Sequence, residues 1–138
     1  MGAYASLENN AVVRHGYGAS AFGGGALNGA SVDTQGFNEA LVILATGLCG
    51  AGTLDVKIQD SADNSSFADV AGAAFAQIVN ANDSVVRIAR LKLDGNLVRR
   101  YIRVTSTVAT ATMEHTVTFV LSGNQYAPQD ANTVVFTV

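Results

Sequence analysis

The 138-residue chain contains one cysteine, one proline and no tryptophan. A single cysteine, Cys49, excludes a disulfide within the chain and a set of thiolate metal ligands. The one proline, Pro128, is expected to lie in a loop.

Charged residues are scarce, at 14% of the sequence against about 25% in an average protein. The formal net charge of −3 gives no global attraction to nucleic acid or to an anionic membrane. With 49% apolar residues, this composition suggests that another molecule covers much of the surface. A neutral β domain without such a partner is the alternative.

No targeting or membrane segment is visible in the sequence. Residues 1–10 lack a basic region followed by an apolar one, so we expect no secretory signal and synthesis in a cytoplasm. The apolar run over residues 40–51 is too short to span a bilayer.

Candidate catalytic residues are few. The two histidines, His15 and His115, lie in no recognisable catalytic motif, and His115 is expected to be a surface or hydrogen-bonded sheet histidine. The sequence contains no nucleophile elbow, phosphate loop or zinc-protease motif. We therefore expect no enzymatic activity and no cofactor.

One polar turn raises the question of a metal. Oxygen-rich turns can hold calcium, and four such residues crowd this one: Asp60, Asp63, Asn64 and Asp69. Their spacing does not match an EF-hand loop, and Asp and Asn also stabilise turns without any metal. We expect no metal site here.

Alternating and apolar segments predict an all-β fold, an antiparallel β-sandwich or jelly roll of about seven or eight strands. The predicted strands cover residues 37–46, 53–60, 70–79, 85–93, 99–108, 114–121 and 134–138. The first contains a continuous apolar run, as expected for a strand covered on both faces. The strand at 85–93 needs a β-bulge near Ala89 and Arg90 if its apolar residues are all to point inward.

The N-terminal segment differs from the rest in composition. Residues 1–31 are rich in glycine and alanine, and the glycines disfavour a regular helix or strand interior. We expect this segment to be an extended arm that docks on a neighbouring surface, and a frayed terminus is the alternative. Residues 32–138 then form a single β-sandwich domain with a C-terminal edge strand.

Six of the eight basic residues fall within residues 87–103. The turn at Asp94 and Gly95 suggests a hairpin, which would place Arg87, Arg90 and Lys92 beside Arg99 and Arg103 on an outward face. Such a patch would suit an acidic partner surface. Neutralisation by acidic residues of the same chain is an equally good interpretation.

Two motifs carry a resemblance to a known class of protein. The first has the pattern S-x-D-x-S-x-F-x-x-V over residues 61–70, directly after an alternating strand. The second is an Arg-Tyr-Ile-Arg-Val strand at residues 100–104. Together with residues 119–128, they resemble small structural proteins of tailed bacteriophages, over about residues 38–128.

Many proteins of that class are capsid decoration or cement proteins. The resemblance implies a jelly roll on the outer capsid surface of the virion that bridges major capsid protein subunits. It also implies a homo-oligomer, commonly a dimer or trimer. The net charge of −3 leads us to expect no nucleic-acid or membrane partner.

The same stretch is similar to discoidin-like, galactose-binding-like modules, which makes carbohydrate binding the alternative function, beside a head-fibre or tail component. The chain departs from those modules because it has no tryptophan, and Phe67 stands where they often have one. For the capsid role, the expected partner contacts are Tyr4, Tyr17, Phe22, Arg87, Arg90, Lys92, Arg99, Arg103, Val134 and Phe136.

Overall fold

The computed structural model describes residues 11–22, 24–93 and 97–123, with the backbone alone for residues 18–22. This part of the chain forms ten strands, numbered in chain order, and one short 3-10 turn at Asn80–Asn82. The strands are β1 (Ala11–Phe22), β2 (Gly25–Asn28), β3 (Val32–Asp33), β4 (Glu39–Thr46), β5 (Thr53–Ser61), β6 (Ala68–Ala74), β7 (Ile78–Val79), β8 (Val86–Lys92), β9 (Tyr101–Ala109) and β10 (Met113–Ser122).

The strands form two antiparallel sheets. Sheet A has the order β1-β10-β4-β8, and sheet B has the order β2-β9-β5-β6, with β3 also paired to β9 and β7 to β5. The prediction of an all-β antiparallel sandwich is confirmed. No helix in the described residues could cross a bilayer.

Alternation along the strands decides which side chains enter the core. Along β10 the odd-numbered residues from 113 to 121 are buried, and the even-numbered ones face outward. The core joins both sheets, with Phe119 and Leu44 from sheet A packed in one cluster with Leu54 and Ile102 from sheet B. Each such side chain stabilises the fold by about 1.5–3 kcal/mol through burial.

Strand β4 departs from the expectation of cover on both faces. Ala40, Val42 and Leu44 are fully buried in the sandwich, whereas Leu41 and Ile43 on the opposite face are only half-buried. The apolar run therefore has a core-facing half and a half that faces outward.

The glycine-rich segment is not an arm over residues 11–28. Residues 11–22 form β1 against β10, and residues 25–28 form β2 against β9. The glycines allow close approach: a Cβ on Gly16 would lie 2.9 Å from both the side chain and the carbonyl oxygen of Val117. Glycine generally weakens a strand, which is why an arm was expected, but in this segment glycine permits the irregular pairing of β1 with β10.

The predicted bulge in β8 is absent. β8 pairs with β4 in one unbroken register from Val86 to Lys92. As a result, Val86 and Ile88 point outward, while Ala89 and Leu91 point toward the core. The prediction assumed that every apolar residue must be buried, and two of these are not.

The segment predicted as one strand over residues 70–79 is two strands, β6 and β7, which both pair with β5. Gly72 has a φ of +74° and lies where the pairing of β6 with β5 shifts register. The predicted turn at residues 94–96, the loop at Pro128 and the strand at 134–138 lie outside the described residues.

Candidate interaction surfaces

The outward side of sheet A carries both polar and apolar side chains, and several of the apolar ones are neighbours. Cross-strand register places Val13, Val120 and Leu41 in one row, and Ile43 beside Ile88 in the next. Val13, Val86 and Ile88 are 51%, 65% and 61% exposed. We call this surface the apolar face: Val13, Leu41, Ile43, Val86, Ile88 and Val120. Clustered exposed apolar side chains of this kind mark interaction sites.

Charged residues lie within and around the apolar face: Arg90 stands opposite Leu41, and Glu114 faces outward near the start of β10. Arg90 Nη2 lies 2.7 Å from Glu39 Oε2, and both side chains remain partly exposed. Lys92 is exposed beside this pair, since its register partner across β8 and β4 is Glu39. Apolar side chains with charged residues around them resemble the general anatomy of protein–protein interfaces.

The outward side of sheet B is a network of polar side chains. Asp69 accepts from Lys57 Nζ at 2.8 Å and from Gln59 Nε2 at 2.7 Å. These contacts, Lys57 first, hold the pKa of Asp69 below its ordinary value. Gln59 Oε1 in turn accepts from Arg103 Nε at 2.9 Å and lies 3.1 Å from Thr105 Oγ1. We call this surface the polar face.

The predicted basic patch does not form. β8 and β9 are not hairpin partners: among the described residues β8 is the outer strand of sheet A, and β9 lies inside sheet B between β2 and β5. Arg90 and Lys92 therefore belong to one sheet and Arg103 to the other. Even within β8, Arg87 has the opposite parity to Arg90, and it donates to Ala76 O at 3.1 Å.

Two arginines of the basic cluster pair with acidic residues of the same chain, which is the alternative interpretation of that cluster. Arg99 Nε donates to Asp60 Oδ1 at 2.8 Å, and the Arg99 backbone N–H donates to Oδ2 of the same carboxylate at 2.8 Å. Arg100 makes a two-pronged contact with Asp33, at 2.9 and 2.7 Å. The two arginines just before β9 are thus held by acidic residues of their own chain.

The acidic side chains in and beside the turn, Asp60, Asp63 and Asp69, also bond to groups of their own chain. Asp63 Oδ1 accepts from the backbone N–H groups of Ser65 and Ser66 and from the Ser61 hydroxyl, at 2.8–2.9 Å. These bonds, that of Ser66 first, lower the pKa of Asp63 to about 2. Asp60 points to Arg99 and Asp69 to Lys57. No cluster of metal-ligating side chains occurs in the described part of the chain.

His115 belongs to a buried polar cluster between the sheets. Its Nε2 lies 3.0 Å from Ser106 Oγ, and its ring meets Tyr17 edge-on at a centroid distance of 5.1 Å. Burial lowers the pKa of His115 and raises that of Tyr17 to about 12. Ser106 lies close enough to Tyr17 to offset this in part, but the Tyr17 hydroxyl makes no hydrogen bond of good geometry. A serine–histidine pair is present, therefore, but solvent does not reach it.

The expected partner contacts outside the basic cluster have different outcomes. Tyr17 is 9% exposed and belongs to the core, which corrects its assignment as a partner contact. Phe22 ends β1 opposite Met113, and its side chain is not described. Tyr4, Val134 and Phe136 lie outside the described residues. Phe67, considered for sugar stacking, has the Arg103 guanidinium 4.1 Å from its ring centroid, so that one ring face is covered.

Sequence reasoning did not identify the apolar face. A signal was present in β4, where apolar residues occupy both parities. We interpreted that pattern as burial on both sides, and the structure instead exposes one side of it.

Fold and surfaces define a two-sheet β-sandwich that carries the apolar face on one outer side and the polar face on the other. The family model Bbp16 matches residues 29–121, more than half of the sequence. The chain belongs to the Bbp16 family.

Solved structures share the fold at low sequence identity. The PBSX exported protein XepA matches with a TM-score of 0.60 and 14% identity, over 96% of this chain and 44% of XepA. The SPBc2 prophage-derived protein YomS matches with a TM-score of 0.54 and 12% identity, over 83% of this chain and 94% of YomS.

A structure of infectious bursal disease virus, Gt strain, matches with a TM-score of 0.51 and 12% identity, over 85% of this chain and 34% of that one. The chain thus spans less than half of XepA and about a third of the virus chain. A search of curated protein sequences found no match.

Proposed function

We propose that the protein is a structural virion protein of a tailed phage that decorates and cements the outer capsid surface by bridging major capsid protein subunits. The apolar face carries this proposal, since three of its side chains are more than half exposed. Two matching structures support it, since YomS is a prophage-derived protein and the other comes from a virus.

The mechanism is mechanical. When the apolar face docks across a seam between capsid subunits, opening the shell also breaks those contacts. A partner that binds only the assembled state stabilises that state by linkage. The polar face, whose side chains already satisfy one another, remains toward solvent.

We further propose that the protein acts as a homo-oligomer, a dimer or trimer, with no catalytic role. Catalysis by a serine–histidine pair requires access for a substrate, and His115 and Ser106 are 3% and 0% exposed.

Cosedimentation with undecorated capsids tests the capsid role. Ile88→Asp, on the β8 side of the apolar face, is expected to weaken binding about tenfold or more, because it places a charge in the docked contact. The matched control is Thr107→Asp, which adds the same charge on the outward side of sheet B.

Equal capsid binding by both variants would show that the apolar face is not the docking surface. Absence of capsid binding by the unmodified protein would overturn the capsid role itself.

A further inference from the structure

The sandwich has an apolar groove along one side. The groove has a volume of about 290 Å³ and lies between β8 of sheet A and the segment of sheet B that contains β6. Ala89 and Leu91 line it from one side, and Val70, Ala73 and Phe75 from the other. We call it the side groove.

The apolar residues of the side groove are less well buried than the rest of the core. Val70, Ala73, Phe75 and Ala89 are only partly buried although they pack against the core cluster. Leu97, which also lines the groove, is 83% exposed. A concave apolar surface of this kind is suited to bind apolar groups of a partner.

The strand β8 presents backbone hydrogen-bonding groups beside the side groove. Among the described residues, β8 pairs with β4 alone. Leu93 N–H donates to Asn38 O at 2.9 Å, so in this antiparallel ladder the odd-numbered residues of β8 direct their backbone groups to β4. The even-numbered residues, including Ile88 and Arg90, direct theirs away from β4. Such an edge is a template for another strand.

The charges that line the side groove are both positive. Arg90 and Lys92 line it and are exposed, and its other described lining residues are uncharged. Arg90 Nη2 contacts Glu39 Oε2 at 2.7 Å, whereas Lys92 has no ion-pair partner in the described part of the chain. A carboxylate brought to this edge would therefore meet complementary charge.

A strand docked on β8 would place its side chains in two different surroundings. Residues directly opposite each other on neighbouring strands share one side of the sheet. Residues of the docked strand opposite Ala89 and Leu91 would therefore face the side groove, and those opposite Arg90 and Lys92 would lie outward beside the cations. The sequence that fits this edge alternates apolar and acidic residues.

The charges of β8 disfavour a second copy of the same strand as the occupant. β8 contains Arg87, Arg90 and Lys92 and no acidic residue. Two β8 strands side by side would bring like charges together, which is destabilising. Charge complementarity therefore favours an acidic segment of another protein.

We propose that the outer edge of β8 takes up an extended segment of another protein as an added strand, with apolar residues in the side groove and acidic residues beside Arg90 and Lys92. Main-chain hydrogen bonds supply affinity in such strand addition, and the alternating side chains supply specificity. The inference uses the edge of β8 and does not depend on the capsid role of the apolar face.

A synthetic peptide with capped ends, in which valine and glutamate alternate, is the probe for this site. Titrated into the full chain and followed by NMR, it is expected to shift the amide signals of Ile88 and Arg90 saturably. At saturation the hydrogen exchange of these amides should slow about tenfold or more, because the docked strand accepts from them. The amides of Ala89 and Leu91, which already face β4, should change little and serve as an internal control.

A second peptide, in which lysine replaces every glutamate, keeps the apolar pattern and reverses the charge. It should bind about tenfold more weakly, because it places like charges beside Arg90 and Lys92. Lys92→Glu should weaken binding of the glutamate peptide about fivefold and strengthen binding of the lysine peptide. The matched control is Lys57→Glu, the same charge reversal on the polar face, which should leave both affinities unchanged.

Unchanged signals of Ile88 and Arg90 in the presence of the glutamate peptide would overturn the proposal. Equal affinity for the two peptides would also overturn it, since the cations would then select nothing. Slow exchange of the same two amides without any peptide would contradict it as well, because the protein itself would then occupy the edge. Loss of that protection on dilution would identify the occupant as a second copy.

Discussion

The outward sides of the two sheets differ although both sheets alternate in the same way. In β4 of sheet A the outward positions include Leu41 and Ile43, whereas in β5 of sheet B they include Asp55 and Lys57. Contacts within the chain satisfy the polar groups of sheet B. The apolar side chains of sheet A have no such cover in the described residues.

This difference assigns folding stability to the inward positions and partner binding to the exposed outward positions of sheet A. Inward positions of both sheets stabilise the fold by burial. The exposed outward positions of sheet A, Val13, Val86 and Ile88, add little to folding because more than half of each side chain remains in water, and they are available for a partner. The following predictions test that separation, from the largest expected effect to the smallest.

The largest effect is expected inside the shared core. Phe119→Ala should lower the free energy of unfolding by about 3–5 kcal/mol, since it removes a fully buried ring and leaves a cavity. Urea denaturation measures the loss. Thr118→Ala, one position away on the outward side of β10, is the control and should change stability little. A small effect of Phe119→Ala would mean that β10 does not carry the core.

A smaller loss is expected where sheet B holds its buried carboxylate. Asp60→Ala should cost about 2 kcal/mol, because the Arg99 side chain and backbone N–H lose their charged acceptor. Asp55→Ala, on the exposed polar face, is the matched control and should have a much smaller effect. Equal losses of unfolding free energy for Asp60→Ala and Asp55→Ala in urea denaturation would contradict the idea that the buried carboxylate contributes more to stability.

The buried cluster predicts a pH dependence of stability. Burial lowers the folded-state pKa of His115 below its ordinary value of 6.5. The unfolded chain therefore takes up a proton first as the pH falls, and stability present above pH 6.5 is lost below it. The slope is at most about 1.4 kcal/mol per pH unit.

Denaturation at a series of pH values between 7 and 5 measures this slope. His115→Gln should remove it. A slope that survives His115→Gln would assign it to another group.

The smallest effect on folding is expected on the apolar face. A Val86→Thr, Ile88→Thr variant should change the free energy of unfolding by no more than about 0.5 kcal/mol, because both side chains are mostly exposed. Capsid cosedimentation of the same variant should weaken. A large loss of stability with unchanged capsid binding would reverse the proposed roles of the two sides of sheet A.

Much of the fold could be predicted because periodicity is local. Leu54, Val56 and Ile58 alternate with polar residues, and that pattern sufficed for β5. β1 was not predicted because glycine lowers strand propensity. Gly16 is needed in this strand because Val117 lies too close to leave room for a Cβ atom. The aromatic Tyr17 was placed on the surface because β1 was not predicted.

The candidate surface was less accessible to sequence reasoning. Arg87, Arg90 and Arg103 are near one another in sequence, and the hairpin inference joined them. Sheet membership separates them, and it depends on which strands pair across the whole chain. The outward exposure of Val86 and Ile88 likewise follows from register with β4.

By itself, the sequence determined the regularly alternating strands such as β5, the absence of an internal disulfide and the scarcity of charge, since these depend on residue type and local alternation. Tertiary structure decided which strands share a sheet and which arginines meet a carboxylate. It also decided that apolar side chains cluster on one outward side. These properties arise from long-range pairing, because a strand's alternation defines two sides but does not specify what lies against either of them.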